Sequence, residues 1–346
     1  MKLPRWRHEQ KVRRSNQIKL RLKLALLVLL LVAIGFIGFA LLKELSSPKL
    51  NKNSRVTIVF ASNPIEVLSF EPDGNLTLIS IPENAYVEVP RGFGSYQIGN
   101  VWELGYQEKI QGELLRLTIQ ELLGAPVDGW VGQKIISSQP NLKSYQWKAG
   151  EFKNDLLAVK NKATSWAVLT KPQIVLSTIN NLQTNLNTLD LVWLWWQVKF
   201  TRFDKIQFVN LKETSALSKY VLADDSQVLS VSQALLDSVC AKLFKNSQFV
   251  NEHLNIEVLN GTNKQGLANR VARLITNMGG NVIYIQNSST TFNRCQISGS
   301  SSSLQSFTAR RLQTIYGCQL LANNQISQAD LQITVGQDYS QRLLQK

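Results

Sequence analysis

The chain has 346 residues, 44% hydrophobic and 18% charged, with a formal net charge of +14. That length and balance suit two packed domains and exclude a chain disordered throughout. With two histidines, His8 and His253, and three cysteines, Cys240, Cys295 and Cys318, nucleophile systems built on an imidazole have no well-placed base. Zinc lacks both a Cys-x-x-Cys and a histidine pair, so no metal site is expected.

The charge is concentrated at one end. Residues 1–23 hold nine basic side chains against Glu9, a local +8 that leaves +6 for the rest. Next comes LALLVLLLVAIGFIGFALL, residues 24–42, without a charge. As a helix it reaches ~28 Å, about the hydrocarbon thickness of a bilayer. The run is too long for a cleaved signal peptide, so it predicts a transmembrane anchor. The basic flank predicts a cytoplasmic N-terminus, with residues 43–346 outside a cell membrane crossed once. The tail then serves orientation and anionic lipid contact; a nucleic-acid partner is not expected, because a basic tail of 23 residues offers no helix-turn-helix.

Residues 43–53, polar with Ser and Pro, read as a stalk. Three apolar runs, 55–61, 65–71 and 76–81, predict strands, the last two joined by Pro72-Asp73-Gly74-Asn75 as a hairpin. Leu114, Leu115, Leu117, Ile119, Leu122 and Leu123 recur at helical spacing up to Gly124 and Pro126, and a strand is expected around 128–136. Residues 156–187 mix Trp and aliphatic residues with amides and are harder to assign. A helix is expected from Thr188 with Leu191, Leu194, Trp195 and Val198 on one buried face. Trp193, Trp195 and Trp196 also admit a membrane-interface reading, but core packing is the commoner use of such a cluster. FDKIQFVNL reads as a strand, and 211–250 as helices and loops connecting two domains.

From Leu254 the pattern is plainer: strand, helix (Leu267, Val271, Leu274, Ile275 inward, Gly279 at its end), strand 281–287, a second helix and a final strand. This predicts a small sheet with parallel strands. SGSSSSLQS, 298–306, reads as a flexible loop. Cys295 and Cys318 share this unit and are the favoured disulfide; three buried free thiols are the alternative. LNGTNKQGLANRVARL has the strand–Gly loop–helix order of a phosphate cradle, but Leu267 follows Gly266 where a P-loop needs Lys and then Ser or Thr. A tight turn, with special backbone angles at Asn260 and Gly261, is the better reading.

Two resemblances attach to these residues. IEVLNGTNKQGLANRVARLITNMGGNVIYI with ADLQITVGQDY, about 254–340, resembles the LytR C-terminal domain, an accessory module of bacterial envelope proteins without an established catalytic motif. VLSFEPDGNLTLISIPENAYVEVP with LLRLTIQELLGAPVDGWVG resembles the LytR-CpsA-Psr (LCP) family over roughly 55–215. Family enzymes transfer polyprenyl-pyrophosphate-linked glycopolymers onto peptidoglycan, using arginines to grip the pyrophosphate and an acidic residue with magnesium. Here the sequence departs. After Ser-Ile-Pro, where the family has arginine and then aspartate, stand Glu83 and Asn84. The expected lysine and asparagine read as Gln97 and Gly99, and an expected aspartate aligns with Asn63 or Pro64. Residues 117–201 contain no arginine. A fork-shaped guanidinium suits pyrophosphate, whereas a glutamate repels it. Arg91 and Arg116 are the nearby guanidinium groups and the weak catalytic candidates; Glu83, Asn84 and Gln97 are the rim candidates.

The expectation is an α/β protein with an N-terminal transmembrane helix. A basic tail (1–23), anchor (24–42) and stalk (43–53) lead to a degenerate LCP-like α/β sandwich (54–215), a connector (216–253) and a small α/β LytR C-terminal domain (254–340). It implies a membrane-anchored, extracytoplasmic envelope protein that binds or organises wall glycan, a lipid-linked precursor or envelope partners, with no cofactor. The alternative is an active glycopolymer phosphotransferase acting on peptidoglycan, which would need magnesium.

Overall fold

The computed structural model describes residues 50–133, 147–148, 182–323 and 328–344. The anchor expected at 24–42 and most of the segment 134–181 lie outside them. Among the described residues no helix is long and apolar enough to cross a membrane.

Strands β1 (Val56–Phe60), the short β2 (Ser62–Asn63), β3 (Ile65–Phe70) and β4 (Leu76–Ile81) follow one another. β3 pairs antiparallel with both β1 and β4. β5 (Ala85–Val89) and β6 (Gly94–Gln97) come next, then helices α1 (Val101–Gln107) and α2 (Gly112–Leu123) and strand β7 (Gly129–Gln133). The two-residue β8 (Trp147–Lys148) pairs with β2, and β9 (Leu182–Thr184) pairs with β7. Helix α3 (Thr188–Phe200) leads to β10 (Ile206–Asn210), parallel to β4. The result is a six-stranded sheet ordered β10-β4-β3-β1-β7-β9. Alternation decides which side of it each residue faces. Val59, Val67, Ile79 and Ile81 meet Leu114, Leu115, Ile119 and Leu123 of α2 in one buried cluster. Each such leucine contributes ~2 kcal/mol by leaving water.

Residues 216–253 are not a connector of helices and loops. β11 (Leu217–Val221) and β12 (Gln227–Val231) form a hairpin whose turn puts Asp225 at φ +62°. β12 runs parallel to β5, giving a second sheet ordered β11-β12-β5-β6. Helix α4 (Gln233–Leu243) then buries Leu236, Cys240 and Leu243 in the same core as α2. The segment belongs to the first domain because its apolar residues complete that core. Burial pushes the free Cys240 thiol up to about 12, which keeps it protonated and inert.

After α5 (Ser247–Glu252) the second domain has β13 (Asn255–Asn260), α6 (Leu267–Asn277), β14 (Asn281–Asn287), β15 (Gln296–Gly299), α7 (Ser301–Gln305), α8 (Phe307–Tyr316), β16 (Gln319–Ala322), β17 (Leu331–Val335) and α9 (Gln337–Leu344). β13 is parallel to β14 and β17, as the strand–helix alternation implies. The five-stranded sheet is nevertheless mixed, since β15 runs antiparallel to β17. The serine run is not a loop. Gly299 ends β15, and the Ser300 hydroxyl accepts the Ser303 N–H at 3.1 Å to start α7. A disulfide joins Cys295 to Cys318, at the starts of β15 and β16.

The turn before α6 also differs from expectation. The left-handed residue is Gly266, at φ +81°, not Asn260 or Gly261. Gly261 is required for closeness instead: a Cβ there would lie 2.8 Å from the Val335 carbonyl oxygen. Asn260 works through its side chain, accepting from Thr262 and donating to the Lys264 carbonyl.

Candidate functional site

The rim candidates Glu83 and Asn84 lie in a short turn between β4 and β5. The Ala85 N–H donates to the Pro82 carbonyl at 3.0 Å, leaving Glu83 at the tip. The Gly99 N–H donates to the Glu83 carbonyl at 3.0 Å, and Gln97 pairs in register with Tyr86. Glu83 and Gln97 therefore meet at one edge. Asn63, from the short strand preceding β3, donates its side-chain amide to the Glu83 carboxylate. Asn84 is fixed through its backbone, its carbonyl accepting the Leu229 N–H at 2.9 Å. What gathers here is a carboxylate and amides, and among the described residues no guanidinium is bonded to any of them.

The two arginine candidates lie elsewhere. Arg91 sits past the far end of β5, which is ~17 Å long at ~3.3 Å per residue. Its N–H donates to the Leu343 carbonyl at 2.8 Å, so its turn (φ +67°) packs against the last helix. Arg116 is neither a solvated surface residue nor part of the rim. It spans Glu113, at 2.7 Å, and the Val127 carbonyl, at 2.7 Å, so that it ties the first turns of α2 to the segment entering β7.

A residue not singled out from the sequence lies directly beneath the rim. Glu66, the second residue of β3, has no accessible surface. It stands opposite Ser80 on β4, one register pair below Ile65 and Ile81, after which the rim begins. Neither carboxylate oxygen has a hydrogen bond of normal geometry. Burial pushes the carboxyl up to about 8, and the nearby Ser80 hydroxyl opposes that only in part. Glu66 is therefore mainly neutral at pH 7. The signal available in the sequence was one acid inside the apolar run IEVLSF.

Arginines are instead used where the C-terminal domain meets the first. Arg273 of α6 holds Asp237 of α4 through two nitrogens, at 2.8 and 2.7 Å, and also donates to the carbonyls of Glu121 and Leu122. Those carbonyls end α2, where backbone acceptors lack intrahelical donors and a cation is favoured. Asn277 adds a bond to the Leu123 carbonyl at 3.3 Å. On α8, Arg311 is 4% exposed and donates to Asp128 at 3.0 Å and to the Arg55 carbonyl at 2.9 Å. Asp128 in turn accepts the Thr57 N–H at 2.8 Å.

In the C-terminal domain a cleft of about 310 Å³ opens beside the turn before α6. It is lined by Asn260, Gln265, Gly266, Asn269, Gln286 and Asn287, among others, and among the described residues no ionisable side chain lines it. Side-chain amides both donate and accept, which suits hydroxyl-rich neutral ligands better than phosphates. His253 lies apart from it, exposed and left-handed at the end of α5. Among the described residues no cluster of His, Cys, Asp and Glu could hold a metal.

Residues 253–339 match the family described as "LytR cell envelope-related transcriptional attenuator". The C-terminal domain is a LytR_C domain. No curated protein sequence matches the chain. Among solved structures, it is similar to TagV of B. subtilis, with 14% identity and a TM-score of 0.39 over 55% of this chain and 95% of that one. TagU of B. subtilis gives 12% and 0.37, over 55% and 95%. A transcriptional regulator from Enterococcus faecalis, EF0465, gives 11% and 0.38, over 67% and 92%.

Proposed function

We propose that the chain is a membrane-anchored, extracytoplasmic envelope protein that binds wall glycan and does not transfer glycopolymers. The observation that carries this is the rim. Glu83 occupies the tip with Asn63 bonded to it, while Arg91 lies past the far end of β5 and the Arg116 guanidinium is bonded to Glu113 and the Val127 carbonyl. A pyrophosphate approaching that edge would meet a carboxylate before any guanidinium. The LytR_C match supports an envelope role, and the uncharged amide cleft supports a neutral polyhydroxyl ligand. The apolar run 24–42 supports the anchor.

Full-length protein in detergent, mixed with a polyprenyl-pyrophosphate-linked glycan, peptidoglycan and Mg²⁺, is expected to give no glycopolymer-modified peptidoglycan. The protein is expected to sediment with purified peptidoglycan and to lose that ability on Asn269→Arg, which fills the cleft from an exposed position. Magnesium-dependent transfer that disappears on Arg91→Ala would establish the transferase alternative. Sedimentation unchanged by Asn269→Arg would remove the cleft from the glycan site.

A further inference from the structure

Helix α3 was expected to bury Trp195, and the structure places it outward. Trp195 is 36%, Trp196 54% and Phe200 55% exposed, whereas Leu194 is 6% exposed. The three rings form one patch: Trp196 lies 4.2 Å from Phe200 and 6.5 Å from Trp195 between centroids. The Lys199 ammonium covers that patch, 4.6 Å from the Trp195 ring and 5.3 Å from Phe200. Arg202, also exposed, follows at the helix end with Asp204 at 3.0 Å. Clustered large rings are uncommon on a surface that faces only water. Indole rings interleaved with Lys and Arg are typical of the membrane–water interface, where the rings sit at headgroup depth and the cations meet lipid phosphates.

Chain length says which surface is within reach. On the inner side of α3, Trp193 packs against Phe70 at 5.7 Å and receives the Lys52 ammonium at 5.8 Å. Lys52 is ten residues beyond Leu42, the last residue of the apolar run. Ten residues span at most ~36 Å when fully extended, and less in any other conformation. A bilayer crossed by residues 24–42 therefore lies within one domain's width of this helix.

We propose that Trp195, Trp196 and Phe200 seat in the headgroup layer of the membrane that anchors the chain, with Lys199 and Arg202 on anionic lipid phosphates. The aromatic helix would then fix the orientation of the first domain over the bilayer. This rests on residues 24–42 being an anchor, and the test separates the two.

The full chain carrying Trp6→Phe keeps seven of its eight tryptophans. It would be reconstituted into vesicles of phosphatidylcholine and phosphatidylglycerol, with bromine on the acyl chains close to the glycerol. Quenching of tryptophan emission by the bromolipid is expected, and most of the quenchable emission should disappear in Trp195→Phe/Trp196→Phe. Those changes keep an apolar ring at both positions and leave the fold intact. Alkaline carbonate should not release the protein from the vesicles. Release by carbonate would refute the anchor and this inference with it. Retention with quenching that the double variant does not diminish would refute the aromatic seat alone. Retention without quenching, together with cross-linking of two chains through position 196, would assign the patch to a second copy and equally overturn the proposal.

Discussion

The rim and the seam between the two domains use the same residue types to opposite ends. At the rim, one exposed carboxylate meets one amide, and a buried neutral acid lies beneath. At the seam, Arg273 and Arg311 are bonded to carboxylates and to backbone carbonyls of the first domain. The contrast teaches that the seam's two guanidinium groups hold protein to protein. Pyrophosphate binding needs a fork free to receive the ligand, and a fork already saturated by the fold cannot serve. The LytR_C domain is correspondingly no loosely tethered appendage, since its helices α6 and α8 satisfy backbone acceptors of the first domain.

The largest expected effect tests the seam. Arg311 is nearly fully buried, and its removal leaves Asp128 facing the low-dielectric interior without its cation. Arg311→Ala is expected to destabilise the protein by about 3–5 kcal/mol, the range for breaking a buried pair from one side. Thermal unfolding in detergent would measure it. A loss under ~1 kcal/mol would mean that the two domains stand independently of this contact.

A smaller effect probes the ground under the rim. Glu66 is held near pH 8, above its unfolded value of 4.5. The folded state thus binds more protons than the unfolded one between those values, so its contribution is fully present below about pH 4.5 and is lost as pH rises through about 8. The wild-type protein should lose on the order of 3 kcal/mol of stability between pH 5 and pH 8 that Glu66→Gln does not lose. Parallel stability curves for the two would show that Glu66 is ionised and paired, contrary to its unpartnered oxygens.

Legibility from the sequence followed how strongly each segment's pattern was tied to one buried face. β1, β3, β4 and α2 were readable because their apolar spacing matches the period of the element they form. β11 was not, because Tyr220 and Val221 are both more than half exposed and the strand shows no inward alternation. β15 and α7 were hidden in a serine run whose Ser300 is a helix cap. Helix α3 was found, but its faces were not: Leu191 through Trp196 is apolar all round, so nothing local says which rings meet the core. The site divides in the same way. That Glu83 and Asn84 stand where the LCP family has an arginine and an aspartate is an expectation from the resemblance alone. That Asn63 bonds Glu83, that Val127 brings its carbonyl to Arg116, and that Glu66 has no partner all depend on residues distant in sequence.

The smallest effect is expected at the rim tip, and it sharpens the comparison most. Glu83 is exposed, and its side chain touches only Asn63 among the hydrogen bonds of the described residues. The turn itself is held by backbone bonds from Ala85 and Gly99, which a side-chain substitution leaves in place. Glu83→Ala should therefore shift the melting temperature by no more than about 1–2 °C, as for surface substitutions away from caps and cores. Sedimentation with peptidoglycan should be unchanged, because the proposed glycan site is on the other domain. If the variant instead lost peptidoglycan binding while keeping its melting temperature, the rim would be a working ligand site, and the contrast between rim and seam would be one of ligand chemistry and not of use against disuse.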